Sequence, residues 1–465
     1  MPKATFTGGV HPFEGKELSM DKPIKEIPPK GDLVYPVSQH IGAPAKPIVA
    51  VGDHVLAGQM IAEAGGFVSA AVFSAVSGTV KAIEPRRLPT GGMCNSIVVE
   101  DDGQYTEVDW QTPKPVSEMT TQEKIDAVRA AGVVGMGGAG FPTAVKLAPK
   151  EPDKIEYVIV NGAECEPYLT SDYRRMVEEP EKVVEGLKLM VDLFPNAQGI
   201  IAIEDNKPEA IKKMEELVKE EPKLSVKPME TKYPQGGERM IIFACTGRKI
   251  NSSMLPADAG CIVDNVETVV AVGKAILEGK PILERTVTIT GDAVVDPRNF
   301  RVRLGSNFKD IIEEAGGFVS EPAKIISGGP MMGFAVFDLD TPVTKTSSAM
   351  TCLTKDAVSE IEPSACINCA RCVEGCPERL IPKDLADAVE HNDEERFLKQ
   401  YGLECIECGS CSYICPARRH LAQLIKGMRK IQLGKKAAER AAKAAADKAA
   451  AEKSAEKSTD KAESK

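Results

Sequence analysis

The chain has 465 residues, enough for about three domains of ordinary size. At 43% hydrophobic and 27% charged it has an ordinary soluble composition with ample core-forming residues. A net charge of −10 argues against nucleic acid as the main partner, because phosphate binding needs a concentrated basic surface. No apolar run follows Met1-Pro-Lys-Ala-Thr5, so no export signal is expected, and 13 cysteines without one point to a reducing cytosol. The charge-free stretch from Ala64 to Val80 is cut by Gly65, Gly66, Ser69, Ser74, Ser77 and Gly78, short of the ~20 apolar residues a membrane span needs. Work at a membrane would require docking to something embedded there.

Residues 1–35, rich in Pro, Gly and Lys, predict an extended arm; His11 beside Pro12 reads as structural, with no second ligand type near it. From 36 to 110, Val49 to Ile61 alternates around Gly52-Asp53 and Ala57-Gly58, and Phe67–Val72 and Ser77–Ile83 repeat the style, predicting short strands. Ile97-Val98-Val99 adds another before the turn at Asp101-Asp102-Gly103. The V-x2-G-x2-V and S-G-x-V elements resemble the barrel-sandwich hybrid of biotinyl and lipoyl carriers. Those carriers attach their cofactor to a lysine, and none occurs between Asp53 and Val80, so a scaffold is expected.

Residues 110–121 read as a linker and Gln122 to Ala131 as a helix. Gly132-Val-Val-Gly135-Met-Gly137-Gly138-Ala-Gly140-Phe141-Pro142 lets the backbone approach a ligand closely, and Pro142 suits the first turn of a helix. N–H groups at such a helix start bind phosphate, and Lys146 adds a point charge. A glycine loop alone is equally a turn, and a helix before it departs from the Rossmann fingerprint. Ile155 to Val160 predicts a buried parallel strand that ends in Asn161, Glu164 and Glu166, where α/β folds place ligand-contacting groups. Helices over 180–194 and 208–220 flank a strand at 199–203. Gln235-Gly236-Gly237-Glu238 opens another helix, and Asp264-Asn265 precedes one ending near Leu277. The alternation predicts a mainly parallel sheet with helices on both faces.

Four motifs in this order, G-x-G-G-A-G-F-P-T (135–143), N-x2-E-x-E-P (161–167), G-G-E (236–238) and N-V-E-T (265–268), resemble the flavin-binding subunit of respiratory complex I. The resemblance covers roughly residues 120–335, with an FMN/NADH-binding α/β domain at 120–282. It implies FMN held by Gly135, Gly137, Gly138, Gly140, Lys146, Asn161, Glu164, Asp264 and Asn265, with Gly237 and Glu238 in the same pocket. It also implies NADH stacking over the flavin near Phe141 and Glu166. Met136 stands where complex I carries Arg, a departure at one phosphate or nicotinamide contact. Residues 283–335 resemble the soluble-ligand-binding β-grasp insert of the same family, with the glycine turn Ser327–Gly333 read as a structural spacer.

Cys366-x2-Cys369-x2-Cys372-x3-Cys376-Pro377 and Cys405-x2-Cys408-x2-Cys411-x3-Cys415-Pro416 repeat the spacing of a bacterial two-cluster ferredoxin. In such pairs the fourth cysteine of each run serves the other cluster. Cys366, Cys369, Cys372 and Cys415 are therefore assigned to one [4Fe–4S] cluster, and Cys405, Cys408, Cys411 and Cys376 to the other. Zinc knuckles usually pair two C-x2-C turns or use His, and disulfide frameworks suit small secreted domains. A helical ferredoxin-like domain is expected over 355–425. Arg371, Arg379, Arg418 and Arg419 lie near ligands in sequence and read equally as stabilisers of reduced clusters or as a docking face. From 435 to 465 an Ala/Lys/Glu-rich tail lacks an apolar stripe and is expected to be solvated.

The full order, with Gly8-Gly-Val-His-Pro12 in the arm, is similar to the C subunits of the Rnf ion-translocating ferredoxin:NAD oxidoreductase complexes. That resemblance implies a peripheral protein on the cytoplasmic side of the membrane, with membrane-embedded and ferredoxin-like Rnf subunits as partners. Electrons would pass between NAD(H) and ferredoxin through FMN and two [4Fe–4S] clusters, coupled by other subunits to Na+ or H+ movement, as in a translocase. No catalytic side chain is expected, since the hard chemistry belongs to the cofactors. Two alternatives stand beside it: a soluble flavin and iron–sulfur reductase like the cobalamin reductases, and a flavin-free electron wire.

Overall fold

Short β-branched runs punctuated by glycine build the N-terminal sheets of a computed structural model that describes residues 4–463, with side chains to residue 443. The chain divides into two units, Met1–Ile361 and Glu362–Lys465. The first strands are β1 (Lys25–Glu26), β2 (Asp32–Pro36), β3 (Lys46–Pro47), β4 (His54–Val55), β5 (Met60–Glu63), β6 (Val72–Phe73), β7 (Gly78–Arg87) and β8 (Met93–Asp101). Strands β2-β8-β7-β4 form one antiparallel sheet and β3-β5-β6 a second. Alternation buries Leu33, Tyr35, Val55, Ile61, Val80, Ile97 and Val99 in the core. The Tyr35 hydroxyl accepts the Ala75 N–H at 2.9 Å, so the buried ring brings no unpaired oxygen with it.

The middle of unit 1 alternates helix and strand. In order it runs α1 (Thr121–Ala130), α2 (Thr143–Lys146), β9 (Tyr157–Gly162), α3 (Ser171–Glu178), α4 (Pro180–Val191) and β10 (Gln198–Glu204). Then come α5 (Pro208–Val218), β11 (Leu224–Met229), α6 (Glu238–Thr246), β12 (Cys261–Asn265) and α7 (Val266–Glu278). Thr120 and Glu123 close a capping box at the start of α1. The sheet is parallel throughout, in the order β11-β10-β9-β12. The chain steps from β9 outward to β11, then returns to lay β12 on the other side of β9. The order therefore reverses between β9 and β12, and sheets of this kind bind ligands outside the carboxyl ends of the strands at that point.

Unit 1 ends in β13 (Glu284–Thr290), β14 (Arg298–Arg303), α8 (Phe308–Glu314), β15 (Lys324–Ser327), β16 (Phe334–Val336) and β17 (Ala349–Leu353). With β1 they form one sheet, β1-β14-β13-β17-β15-β16. The sheet continues past residue 335, because β17 fills the place between β13 and β15. The N-terminal segment lies along the rest of the unit. Ala4 bridges Met229, Val10 bridges Tyr233, and β1 pairs in parallel with β14.

Unit 2 is helical, with α9 (Arg371–Glu374), α10 (Pro382–Glu390), α11 (Glu394–Lys399), α12 (Ser410–Tyr413) and α13 (Leu421–Glu463). Leu380, Leu385, Ala388, Phe397, Ile425 and Met428 form its core. Left-handed residues recur at matching places in the two cysteine runs: Asn368, Ala370 and Arg379 in the first, Glu407, Gly409 and Arg418 in the second. Helix α13 buries Leu421, Ile425, Met428 and Gln432, and its side chains over 433–443 are exposed. Among the described residues no helix is long and apolar enough to cross a membrane.

Candidate functional site

The glycine loop joins α1 to α2 at the carboxyl end of the parallel sheet. The Gly135 N–H donates to the Phe141 carbonyl at 2.9 Å, and Val134 bridges Pro142, closing the loop at its neck. A Cβ on Gly137 would stand 2.7 Å from the Asn265 side chain, so only glycine lets the loop lie against β12. Around Gly138, by contrast, nothing among the described residues comes within 4 Å of a Cβ position, which leaves the backbone open to a ligand. Gly140, at φ 73°, turns the loop against Gln39 and His40 of the N-terminal sheets.

The ends of β9 and β12 supply the polar groups. Lys146 donates to the Val263 carbonyl at 2.8 Å and to Asp264 Oδ1 at 3.0 Å. Burial alone would lower the Lys146 pKa; Asp264 and Glu238 outweigh it and hold the ammonium charged. Asp264 is buried, and its Oδ2 has no hydrogen-bond partner among the described residues. Asn161 donates to the Gly236 carbonyl at 2.8 Å, tying β9 to the turn where Gly237 caps α6 and Glu238 opens it, exposed. Asn265 caps α7 through the Glu267 N–H at 2.9 Å and donates to Asp172 Oδ2 at 2.6 Å. Glycine loop, Lys146, Asn161, Gly237, Glu238, Asp264 and Asn265 thus converge at the switch point. An open backbone, a charged lysine and an unpartnered carboxylate oxygen fit a phosphate-bearing flavin with N–H groups to donate.

Two of the expected ligands also meet main-chain donors of the protein. Glu164 turns its carboxylate onto the N–H groups of Asp172 (2.7 Å) and Tyr173 (3.3 Å) at the start of α3. Glu166 accepts the N–H groups of Met331 (3.1 Å) and Met332 (2.8 Å) from the glycine turn after β15, and burial pushes its carboxyl up to about 7. Met136 is buried, with its N–H on Thr268 Oγ1 (2.9 Å) and its carbonyl on Arg285 (3.3 Å). Its side chain packs in the core. Asp172, Thr268 and Arg285 were missed in the sequence; Thr268 lies within a quoted motif, while the other two carried no local signal.

In unit 2, Cys366, Cys369, Cys372 and Cys415 line one cavity of about 170 Å³, walled also by Ile381 and Leu421. The fold thus brings a cysteine of the second run to three of the first. Cys376, Cys405, Cys408 and Cys411 stand close enough to raise one another's pKa on top of burial, which pushes Cys376 up to about 11 and Cys405 up to about 12. Main-chain N–H groups point at sulfur: Asn368 to Cys366 (3.5 Å), Leu380 to Cys376 (3.4 Å) and Glu407 to Cys405 (3.4 Å). Among the described residues no cysteine forms a disulfide, and no three His, Cys, Asp or Glu groups close on a single ion. The thiols surround a volume, as a cluster requires. The first set is the more open, with Cys369 exposed; Cys376, Cys408 and Cys411 are buried. Arg419 walls the first cavity with its charge offset by Glu390 (2.7 Å) and Asp387 (3.2 Å).

Four family models match in order: the RnfC barrel sandwich hybrid domain (4–104), the Nuo51 FMN-binding domain (128–274), the SLBB domain (286–335) and a 4Fe-4S dicluster domain (359–416). The chain is 45% identical over 401 residues to the C subunit of the proton-translocating ferredoxin:NAD(+) oxidoreductase complex of Clostridium ljungdahlii, covering 86% of this chain and 87% of that one. The chain belongs to the family of Rnf complex C subunits. The C subunit of the Na(+)-translocating complex of Acetobacterium woodii is 44% identical over 428 residues, covering 91% of this chain and 96% of the relative. The Nuo51 match runs from α1 into α7 and so takes in the glycine loop and the ends of β9 and β12, and the dicluster match takes in both cysteine runs. Among solved structures, an NAD+-reducing [NiFe]-hydrogenase in the H2-reduced state aligns at a TM-score of 0.46 and 18% identity, over 68% of this chain and 65% of that one.

Proposed function

We propose that this Rnf protein carries electrons between NAD(H) and ferredoxin within a membrane-bound complex, using FMN in the switch-point cleft and two [4Fe–4S] clusters in unit 2. It works as a peripheral subunit on the cytoplasmic side, and other subunits move Na+ or H+, so the complex as a whole is the translocase. The observation that carries this reading is the presence, in one chain, of a glycine-lined cleft at a sheet switch point and of two cysteine runs whose fourth cysteine stands with the other run.

When bound, FMN supplies the conversion between two-electron hydride chemistry and the one-electron steps of iron–sulfur clusters. Gly138 leaves the backbone open to it, Lys146 would offset phosphate charge, and Asp264 Oδ2 would be free to accept an N–H. Gly135, Gly137 and Gly140 shape the loop, Asn161, Gly237 and Asn265 fix the strand and helix ends around it, and Glu164 acts through α3. Phe141 borders the space for NAD(H), Glu166 bounds it by holding the Met331–Met332 turn, and Glu238 lies in the same pocket. Cys366, Cys369, Cys372 and Cys415 hold one cluster, and Cys405, Cys408, Cys411 and Cys376 the other. The N–H groups aimed at sulfur stabilise the reduced, more negative state.

An anaerobic optical titration of the iron–sulfur-reconstituted chain with NADH, with and without FMN, tests this. Bleaching of a flavin band followed by cluster reduction is expected. Clusters that dithionite reduces but NADH leaves untouched, with FMN present, would replace this reading by a flavin-free wire.

A further inference from the structure

The loop after β9, residues 163–169, is held by two buried lysines that do not line the cleft. Lys16, from the N-terminal segment, is 4% exposed. Its ammonium donates to the main-chain carbonyls of Glu164 (2.8 Å), Glu166 (3.0 Å) and Leu169 (2.6 Å). Burial lowers the Lys16 pKa against the pull of Glu164 and Glu204; the three carbonyls match the three donors of the ammonium form, one each. Lys207 donates to the Ala163 carbonyl at 2.6 Å and to Asn206 and Glu204 at 2.9 and 3.2 Å. Between these grips Glu164 and Tyr168 adopt left-handed backbone angles, φ 48° and 70°. Residues with side chains keep such angles only where their surroundings over-determine them.

The grip reaches the cleft in short steps. Lys16 holds the Glu164 carbonyl, and the Glu164 carboxylate holds the Asp172 and Tyr173 amides at the start of α3. Asp172 takes the Asn265 amide at 2.6 Å, and Gly137 of the glycine loop packs on Asn265. The N-terminal segment is also seated without Lys16. The Tyr168 N–H donates to the Glu14 carbonyl at 2.6 Å, Ser19 and Thr170 share a hydroxyl bond at 2.7 Å, and Lys22 pairs with Asp296 at 2.6 Å. A cavity of about 30 Å³ beside Lys16, lined by His11, Glu14, Cys165 and Glu204, has room for a water and not for a further ligand.

We propose that Lys16 is a positioning residue of the flavin cleft, a cation built into the chain that fixes the 163–169 loop in the form FMN binding requires. The inference rests on the FMN reading of the cleft, and it makes the N-terminal segment a working part of the flavin site. Removing the ammonium frees three carbonyls, lets the two left-handed residues relax, and loosens α3 and Asn265 behind the glycine loop.

The test uses the full, cluster-loaded chain as wild type, Lys16→Met and Lys22→Met. FMN affinity is read by fluorescence quenching, the flavin midpoint by anaerobic redox titration, and the clusters by electron paramagnetic resonance. Lys16→Met is expected to weaken FMN at least tenfold and move the flavin midpoint to more negative values, with cluster signals unchanged. Lys22→Met, which cuts another tie of the same segment, is expected to stay within about twofold of wild type. Wild-type FMN affinity and midpoint in folded Lys16→Met would overturn the inference, as would equal effects from Lys22→Met. Should Lys16→Met fail to fold, Lys16→Gln takes its place; if that also fails, Lys16 is a residue of the fold alone and the proposal falls. Absence of FMN binding by the wild type is a separate result: it defeats the FMN reading itself, and this inference with it.

Discussion

In the cleft of unit 1 the polar side chains are held by one another and by the main chain: Lys146 on Asp264, Asn161 on Gly236, Glu164 on α3, Asn265 on Asp172. In unit 2 the cysteines surround space, and burial raises the pKa of Cys372, Cys376, Cys405, Cys408 and Cys411. The cleft is organised by protein hydrogen bonds, whereas thiols binding a metal give up their protons, so the order of the cysteine sets is coupled to metal binding. Loss of a ligand residue should therefore be graded in the first region and all-or-none in the second.

The sharpest break would come from Cys415→Ala. Iron should fall from about eight to about four per chain, removing the cluster of Cys366, Cys369 and Cys372 although Cys415 lies in the other run. Iron counting with electron paramagnetic resonance decides it; loss of the Cys405 cluster instead would mean that the runs do not exchange ligands. Next, iron chelation should lower the melting temperature of unit 2 and leave that of unit 1 unchanged, as differential scanning calorimetry would resolve.

Lys146→Ala should weaken FMN about tenfold or more and cost about 2–3 kcal/mol in denaturant unfolding. That is below the usual figure for breaking a buried pair, because Lys146 keeps 23% of its side chain exposed. A comparable but pH-dependent effect belongs to Glu166. Its folded pKa is raised from 4.5 to about 7, so its contribution to stability is full below pH 4.5 and is lost as pH rises through 7. Stability curves at pH 5 and pH 8 should show a loss of about 2–3 kcal/mol from this group in the wild type, and a flatter profile in Glu166→Gln. The smallest effect is expected of Thr120→Ala, which removes the α1 cap for about 1 kcal/mol and leaves both cofactor regions loaded.

The cysteine runs were legible because ligand spacing is a covalent property of the chain and needs no tertiary information. The glycine loop and the ends of β9 and β12 were legible as motifs in order, with parallel strands between them. Their supports were not. Lys16 meets Glu164 across 148 residues and Arg285 meets Met136 across 149, and neither contact leaves a local pattern. Glu166 reads as a cleft residue in its motif, yet the turn after β15 takes its carboxylate, a use set by packing between distant segments. The N-terminal arm shows proline and glycine but no periodicity, so nothing in its own sequence announced a strand paired with β14.

That strand has a consequence for the integrity of the protein. Strand β1 covers the outer side of β14, and Arg301 of β14 reaches across to Glu26 at 2.8 Å. Proteolytic excision of the stretch from Lys22 to Leu33, cut on both sides of β1, would strip that cover and leave β14 with unpaired N–H and C=O groups, the template on which two chains join edge to edge. Nicked preparations should then self-associate while their clusters stay intact, so that damage at one end of the polypeptide would show itself as aggregation rather than as lost colour.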